Sequence, residues 1–147
     1  VSTSREEAVE AALDLIDKNS LAYEAVEVAK KFVNQSASNL HDHYGDMSPV
    51  HSLNNLAVVI WAFLSFQDSF DEAIGETICC GWDTDCTGAT VGGLIGLDKG
   101  SIPESWTDPW QGRVNTAIAG VGELKLEDLV ERTCKLVDQF SSESDMD

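Results

Sequence analysis

Gly81-Trp82-Asp83-Thr84-Asp85-Cys86-Thr87-Gly88-Ala89-Thr90-Val91-Gly92-Gly93-Leu94-Ile95-Gly96 sets a dense polar segment directly ahead of a glycine-marked helix. Ala89, Val91, Leu94 and Ile95 recur at helical spacing, so a helix is expected over 87–98. Gly88, Gly92, Gly96 and then Gly100 fall four apart, which draws one stripe along a single face. Each interior glycine costs about 1 kcal/mol of helix stability against alanine. A face without side chains compensates by letting a neighbour approach closely, and the expected role is tight packing that positions the preceding loop.

Outward from this stretch the chain reads as helix after helix. Upstream, Asp68 or Ser69 caps a helix carrying Phe70, Ala73, Ile74, Thr77 and Ile78, which should stop near Gly81. Before it, the run Leu56 to Leu64 is apolar on all sides, the mark of a central buried helix starting near Ser52. Residues 34–52, polar and holding all three histidines, read as a loop. Two amphipathic helices precede that loop, over 21–33 and over 4–17, the latter opened by the capping box Ser4-Arg5-Glu6-Glu7. Downstream, Ser101 to Trp110 reads as a proline-rich ordered turn in which Trp106 and Trp110 pack around Pro103. A last helix is expected from Leu126 to Phe140 with Cys134 in its core face, followed by an acidic tail over 141–147. No stretch alternates as a strand does, so the fold class is all-α, with one domain over 1–140.

Composition narrows the functional classes. A chain of 147 residues that is 43% hydrophobic buries about 70% of its unfolded surface as one domain. Its 26 Asp and Glu against 9 Lys and Arg give a net charge of −17, which repels phosphate backbones and anionic lipid. Nonspecific nucleic-acid binding and membrane-surface binding are therefore excluded, and divalent cations or basic ligands suit the chain. The longest apolar run is nine residues, against the ~20 that cross a bilayer. The first residues lack a basic segment followed by an apolar one, so no signal peptide is expected. With only four cysteines, two of them adjacent, reduced thiols in the cytoplasm are the expectation.

Asp83 and Asp85 carry the chemistry. Two carboxylates two residues apart, between a Gly-Trp turn and a helix start, can direct their oxygens at a common point, as a hard divalent cation requires. Free amides at the helix start favour the ionised forms by ~0.3–1 kcal/mol each. Asp85 as an N-cap and Asp83 as a solvated turn residue account for the same pair without an ion. An EF-hand places Asp83, Asp85 and Gly88 at its first, third and sixth positions, but its twelfth falls on Leu94 where a bidentate Glu is needed. The Asp-x-Asp-x-Thr nucleophile loop of haloacid-dehalogenase-type phosphatases needs a strand feeding it, and Ile78-Cys79-Cys80 at a helix end is none.

The stretch 81–96, followed by Gly100, Ile102-Pro103, Trp106 and Pro109, resembles the C-terminal half of ADP-ribosylglycohydrolases of the dinitrogenase reductase-activating glycohydrolase kind. The likeness extends upstream through His51-Ser52-Leu53-Asn54-Asn55 and Phe70-Asp71-Glu72-Ala73-Ile74. It implies a compact multi-helix fold with a binuclear Mg2+ site, sometimes loaded with Mn2+. Asp83 and Asp85 match the late carboxylate ligands of that site. The family's hydroxyl ligand falls on Cys86, and sulfur is a poor partner for magnesium. That contact is left to Thr87, to water, or to a subgroup whose loop reads Asp-Cys. The early acidic pair and the general acid–base carboxylate have no counterpart, so the resemblance implies that an N-terminal half, as a separate chain or another segment, completes the site. The implied reaction is hydrolysis of an ADP-ribosyl N- or O-glycosidic bond in a protein or small-molecule substrate. A noncatalytic relative of the lens-crystallin type, or a hydrolase of another ribosyl conjugate, are the alternatives.

The remaining polar and aromatic residues divide between site and scaffold. Trp82 borders the loop and is placed to stack on a nucleobase or ribose. Thr87, His51 and Asn54 are candidates to face the same pocket, with capping of the buried helix as the other role for His51. His41-x-His43 with His51 fits none of the usual structural-zinc spacings, so solvated loop histidines are expected.

Overall fold

The structure is a computed structural model that describes residues 4–144. Its described residues form eight α-helices, one 3-10 turn and one small hairpin, an all-α fold as expected. The chain divides into two compact units, one ending at Ile102 and the other beginning at Pro103.

The first unit holds α1 (Arg5–Leu13), α2 (Leu21–Lys31), α3 (Ser38–Tyr44), α4 (Ser52–Ser65), α5 (Phe70–Cys79) and α6 (Thr84–Lys99). Its centre is α4, which touches each of the other five helices. That explains its all-round apolarity: Ala57, Val58, Trp61 and Ala62 are each at most 1% exposed. A helix with neighbours on every side has no solvent face to make polar. Trp61 keeps its one polar atom satisfied by donating Nε1–H to the Phe32 carbonyl at 3.0 Å. Side-chain caps open four of the six helices: Ser4, Ser20 and Ser69 accept from the amides of Glu7, Tyr23 and Glu72, and His51 Nδ1 accepts from Leu53. Such caps contribute about 1 kcal/mol each.

Several boundaries differ from the sequence reading. The first helix stops at Leu13, and the chain then turns at Asp17, whose Oδ1 accepts from the Asn19 amide at 2.9 Å. The segment 34–52 is not all loop, because α3 lies inside it and buries Leu40 and Tyr44. The glycine-marked helix begins at Thr84, three residues early, and ends at Gly100 with φ +70. Gly100 therefore belongs to the helix terminus, where the left-handed conformation suits glycine, and not to the packing stripe.

The second unit contains α7 (Glu104–Thr107), a 3-10 turn (Asp108–Trp110), strands β1 (Arg113–Asn115) and β2 (Glu123–Lys125), and α8 (Leu126–Ser144). The strands pair antiparallel with Val114 opposite Leu124, a hairpin the all-helical reading did not contain. Helix α8 continues through residues assigned to the acidic tail, whose last three lie outside the described residues. Cys134 is exposed on α8 and not in a core, and Trp106 and Trp110 remain 37% and 49% exposed.

Candidate metal centre

The turn between α5 and α6 builds the site. Helix α5 ends at Cys79 with Cys80 as its C-cap, and Gly81 takes φ +76, a conformation that reverses the chain at no steric cost only for glycine. Asp83 then stands at the N-cap position of α6 and Asp85 in its first turn, so Asp85 is not the cap. The Asp83 carboxylate makes no capping hydrogen bond. It is left to face its neighbours: oxygens of Asp83 and Asp85 and the sulfur of Cys86 lie within 4.8 Å of one another. Ligand bonds of about 2.1–2.3 Å put the donors of one ion within roughly 4–5 Å of each other, so the three groups are spaced for a common cation. The α6 amides add a partial positive charge that favours carboxylates here.

Two side chains from elsewhere brace this turn. Asn55 Oδ1 accepts the Asp83 N–H at 3.2 Å, while its Nδ2 donates to the carbonyls of Pro49 and His51, both at 2.8 Å. His41 on α3 approaches the Cys80 carbonyl at 2.6 Å through Nε2. A carbonyl only accepts, so Nε2 carries the proton. The same imidazole packs on Trp82 with centroids 4.2 Å apart, and Tyr44 meets Trp82 edge-on at 6.4 Å. His41 is thus a half-buried support and not a solvated loop histidine.

The remaining candidates lie as follows. Trp82 is half-buried beside Asp83. Thr87 is buried, and its hydroxyl donates to the Asp83 carbonyl at 2.9 Å, which commits it to the helix start. His51 caps α4 through Nδ1, which leaves the proton of the neutral ring on Nε2. Asn54 is fully buried, donating to the Ser48 carbonyl at 3.1 Å and accepting from the Asn55 amide. Of the asparagine pair, Asn55 reaches the loop and Asn54 points inward. Neither Asn55 nor His41 was singled out from the sequence. Nothing local in the sequence separates the two amides of Asn54-Asn55, and the seven-residue α3 that presents His41 buries only Leu40 and Tyr44, too short a pattern to mark a helix.

Electrostatics separate the three donors. The Cys86 thiol is held above its ordinary pKa, first by its hydrogen bond to the Asp83 carboxylate and then by the charges of Asp83 and Asp85. The two carboxylates suit Mg2+, which takes oxygen ligands, whereas a thiol does not. An apolar groove of about 790 Å3 between α1, α2, α4 and α6 contains none of these residues.

The family model for ADP-ribosylglycohydrolase matches residues 1–144. No curated protein and no solved structure matches the chain. The family is one of glycosyl hydrolases acting on ADP-ribosyl bonds and is typically metal-dependent, in keeping with the donors gathered at the head of α6. With the match running through nearly the whole sequence, the chain belongs to the ADP-ribosylglycohydrolase family.

Proposed function

We propose that the Asp83–Asp85 corner is the cation-holding part of an active site that hydrolyses an ADP-ribosyl N- or O-glycosidic bond, with Mg2+ as the ion and Mn2+ as its substitute. The observation that supports this is the spacing of the two carboxylates, within 4.8 Å on a turn braced by Asn55 and His41. When bound, the ions act as Lewis acids on the ribose hydroxyls. The chain itself places Asp83 and Asp85 at a helix N-terminus and fixes the Asp83 backbone through Asn55 before any ligand arrives. Trp82, next in sequence to Asp83, offers a wall for the ribose or nucleobase.

The converging group contains two carboxylates and one thiol, fewer hard donors than a binuclear magnesium site uses. The reading therefore assigns the other acidic ligands and the general acid–base to an N-terminal half of the fold, carried by another segment or another chain. The substrate is an ADP-ribosylated protein or small molecule. The location that goes with it is cytoplasmic, in keeping with four free cysteines. No helix among the described residues is long and apolar enough to cross a membrane.

Asp83→Asn in the intact protein tests the proposal. Calorimetric binding of Mg2+ and release of ADP-ribose should both be lost, and metal binding that survives unaltered refutes the assignment.

A further inference from the structure

We infer that α8 pairs with α8 of a second copy of this chain, the two helices running antiparallel about a two-fold axis at Thr133. The inference is independent of the cation reading of Asp83 and Asp85.

Helix α8 sorts its residues by face. Leu129, Val130, Thr133, Leu136 and Val137 recur three and four apart, which places them along one narrow seam. Its four apolar residues are exposed, and Val130, Leu136 and Val137 are more than half exposed. Leu126 and Phe140, both exposed, carry the seam one turn further at each end. From Leu126 to Phe140 it runs about 21 Å at 1.5 Å per residue, room for six apolar side chains from each copy. Glu127, Asp128, Glu131, Lys135 and Asp138 fall on the other side of the helix, where Lys135 pairs with Glu131.

The pattern of the seam selects its occupant. Counted from Thr133, apolar residues stand three, four and seven positions away in both directions, so the row reads alike from either end. A two-fold axis at Thr133 therefore lays Leu129 against Val137 of the second copy and Val130 against its Leu136, an isologous contact. Thr133 suits the axis because its hydroxyl already donates to the Leu129 carbonyl at 2.9 Å, and burying it leaves no donor unpaired. A basic partner would need carboxylates bordering the seam, whereas Glu127, Asp128, Glu131 and Asp138 stand away from it. The opposing force is the charge of −17 on each copy, so pairing should strengthen with ionic strength.

Analytical sedimentation of the intact protein over a wide concentration range reads the pairing. Val137→Glu and Lys135→Gln serve as variants that both move the net charge from −17 to −18. Wild type should pass from monomer to a species of twice the mass as concentration rises. Val137→Glu, which sets an unpaired carboxylate against Leu129, should weaken association at least about tenfold, while Lys135→Gln on the polar face should match wild type. Leu129→Lys should also weaken it, yet mixing Leu129→Lys with Val137→Glu should restore association, since antiparallel pairing brings the new ammonium to the new carboxylate. Recovery in the mixture cannot come from misfolded chains, so that arm holds even where one substitution lowers stability. A wild type that stays monomeric at every concentration overturns the inference, whether another segment covers the seam or none does. Association undiminished in Val137→Glu, or lost equally in Lys135→Gln, overturns it as well. A mixture that stays monomeric overturns the antiparallel register about Thr133.

Discussion

Asn55 holds the acidic turn through one amide, its oxygen on the Asp83 N–H and its nitrogen on carbonyls at the start of α4. Asn55→Ala removes all of these, and because the residue is half-exposed, water replaces part of what is lost. The expected cost in denaturant unfolding is about 1–2 kcal/mol, with cation affinity falling roughly tenfold or more because the ligand-bearing backbone is released. Equal cation binding in Asn55→Ala and wild type would show that the turn holds its shape unaided. A second prediction concerns the adjacent thiols. Burial pushes Cys80 up to about 12, with the Glu76 charge adding to it, whereas Cys79 is exposed. At pH 8 the Cys80 thiolate is then on the order of one part in 10⁴, so iodoacetamide should modify Cys79 and spare Cys80 in a peptide map of the native protein. Modification of Cys80 at a comparable rate would mean that α5 opens readily. At this scale the sequence pointed to the carboxylates through their spacing at a helix start and through the resemblance that covers it, and it hid their supports. The interaction of Asn55 with Asp83 spans 28 positions and that of His41 with Cys80 spans 39, distances over which no local pattern operates.

Among the elements, α6 is where the cost of glycine can be tested against its use. A Cβ on Gly88 would come within 2.8 Å of Ile78 Cδ1, and one on Gly96 within 3.3 Å of Ile102 Cγ1, whereas Gly93 faces open space. The close approach inferred from the four-residue spacing is therefore sharpest at Gly88, where α5 lies against α6. Gly93→Ala should raise stability by about 0.5–1 kcal/mol through helix propensity alone. Gly88→Ala should gain less, since the Ile78 methyl must move aside, and thermal unfolding of the two variants gives the order directly. A larger gain at Gly88 would mean that the stripe is not a packing surface. The same contrast explains which elements the sequence disclosed. Helix α4 was evident because eight of its fourteen residues are buried and apolarity of that density has one interpretation. Helix α3 buries only Leu40 and Tyr44 among seven residues, and β1 and β2 offer one apolar residue each within three, signals shorter than the period they would have to display.

Across the whole molecule the excess of carboxylates acts on stability and on ion binding together. Arg5 illustrates how charge enters the first unit's core. It is 3% exposed, its Nε donates to Asp98 Oδ2 at 2.9 Å, its Nη1 donates to the Phe63 carbonyl at 2.8 Å, and its guanidinium lies 4.8 Å from the Phe63 ring centre. Its Nη2 is also 2.9 Å from Asp98 Oδ2, an ion-pair contact without hydrogen-bond alignment. In sequence Arg5 was only the second residue of a capping box, because its partner Asp98 lies 93 positions away. Elsewhere the charge of −17 is far from balanced, and mutual repulsion disfavours the compact state until counterions screen it. Any salt should therefore raise the unfolding temperature, which complicates a simple divalent-ion test of the metal centre. Matching ionic strength separates the two effects. Screening depends on ionic strength, while binding at one site adds RT ln(1 + [L]/Kd), about 2.7 kcal/mol at 100 times Kd. For a chain of this length that is a rise of roughly 5–10 °C beyond the one NaCl gives. Asp83→Asn changes the net charge only from −17 to −16, so its response to NaCl should match wild type while the divalent excess vanishes. An excess that survives in Asp83→Asn would mean that the cations collect in the diffuse field of all the carboxylates and not between residues 83 and 85.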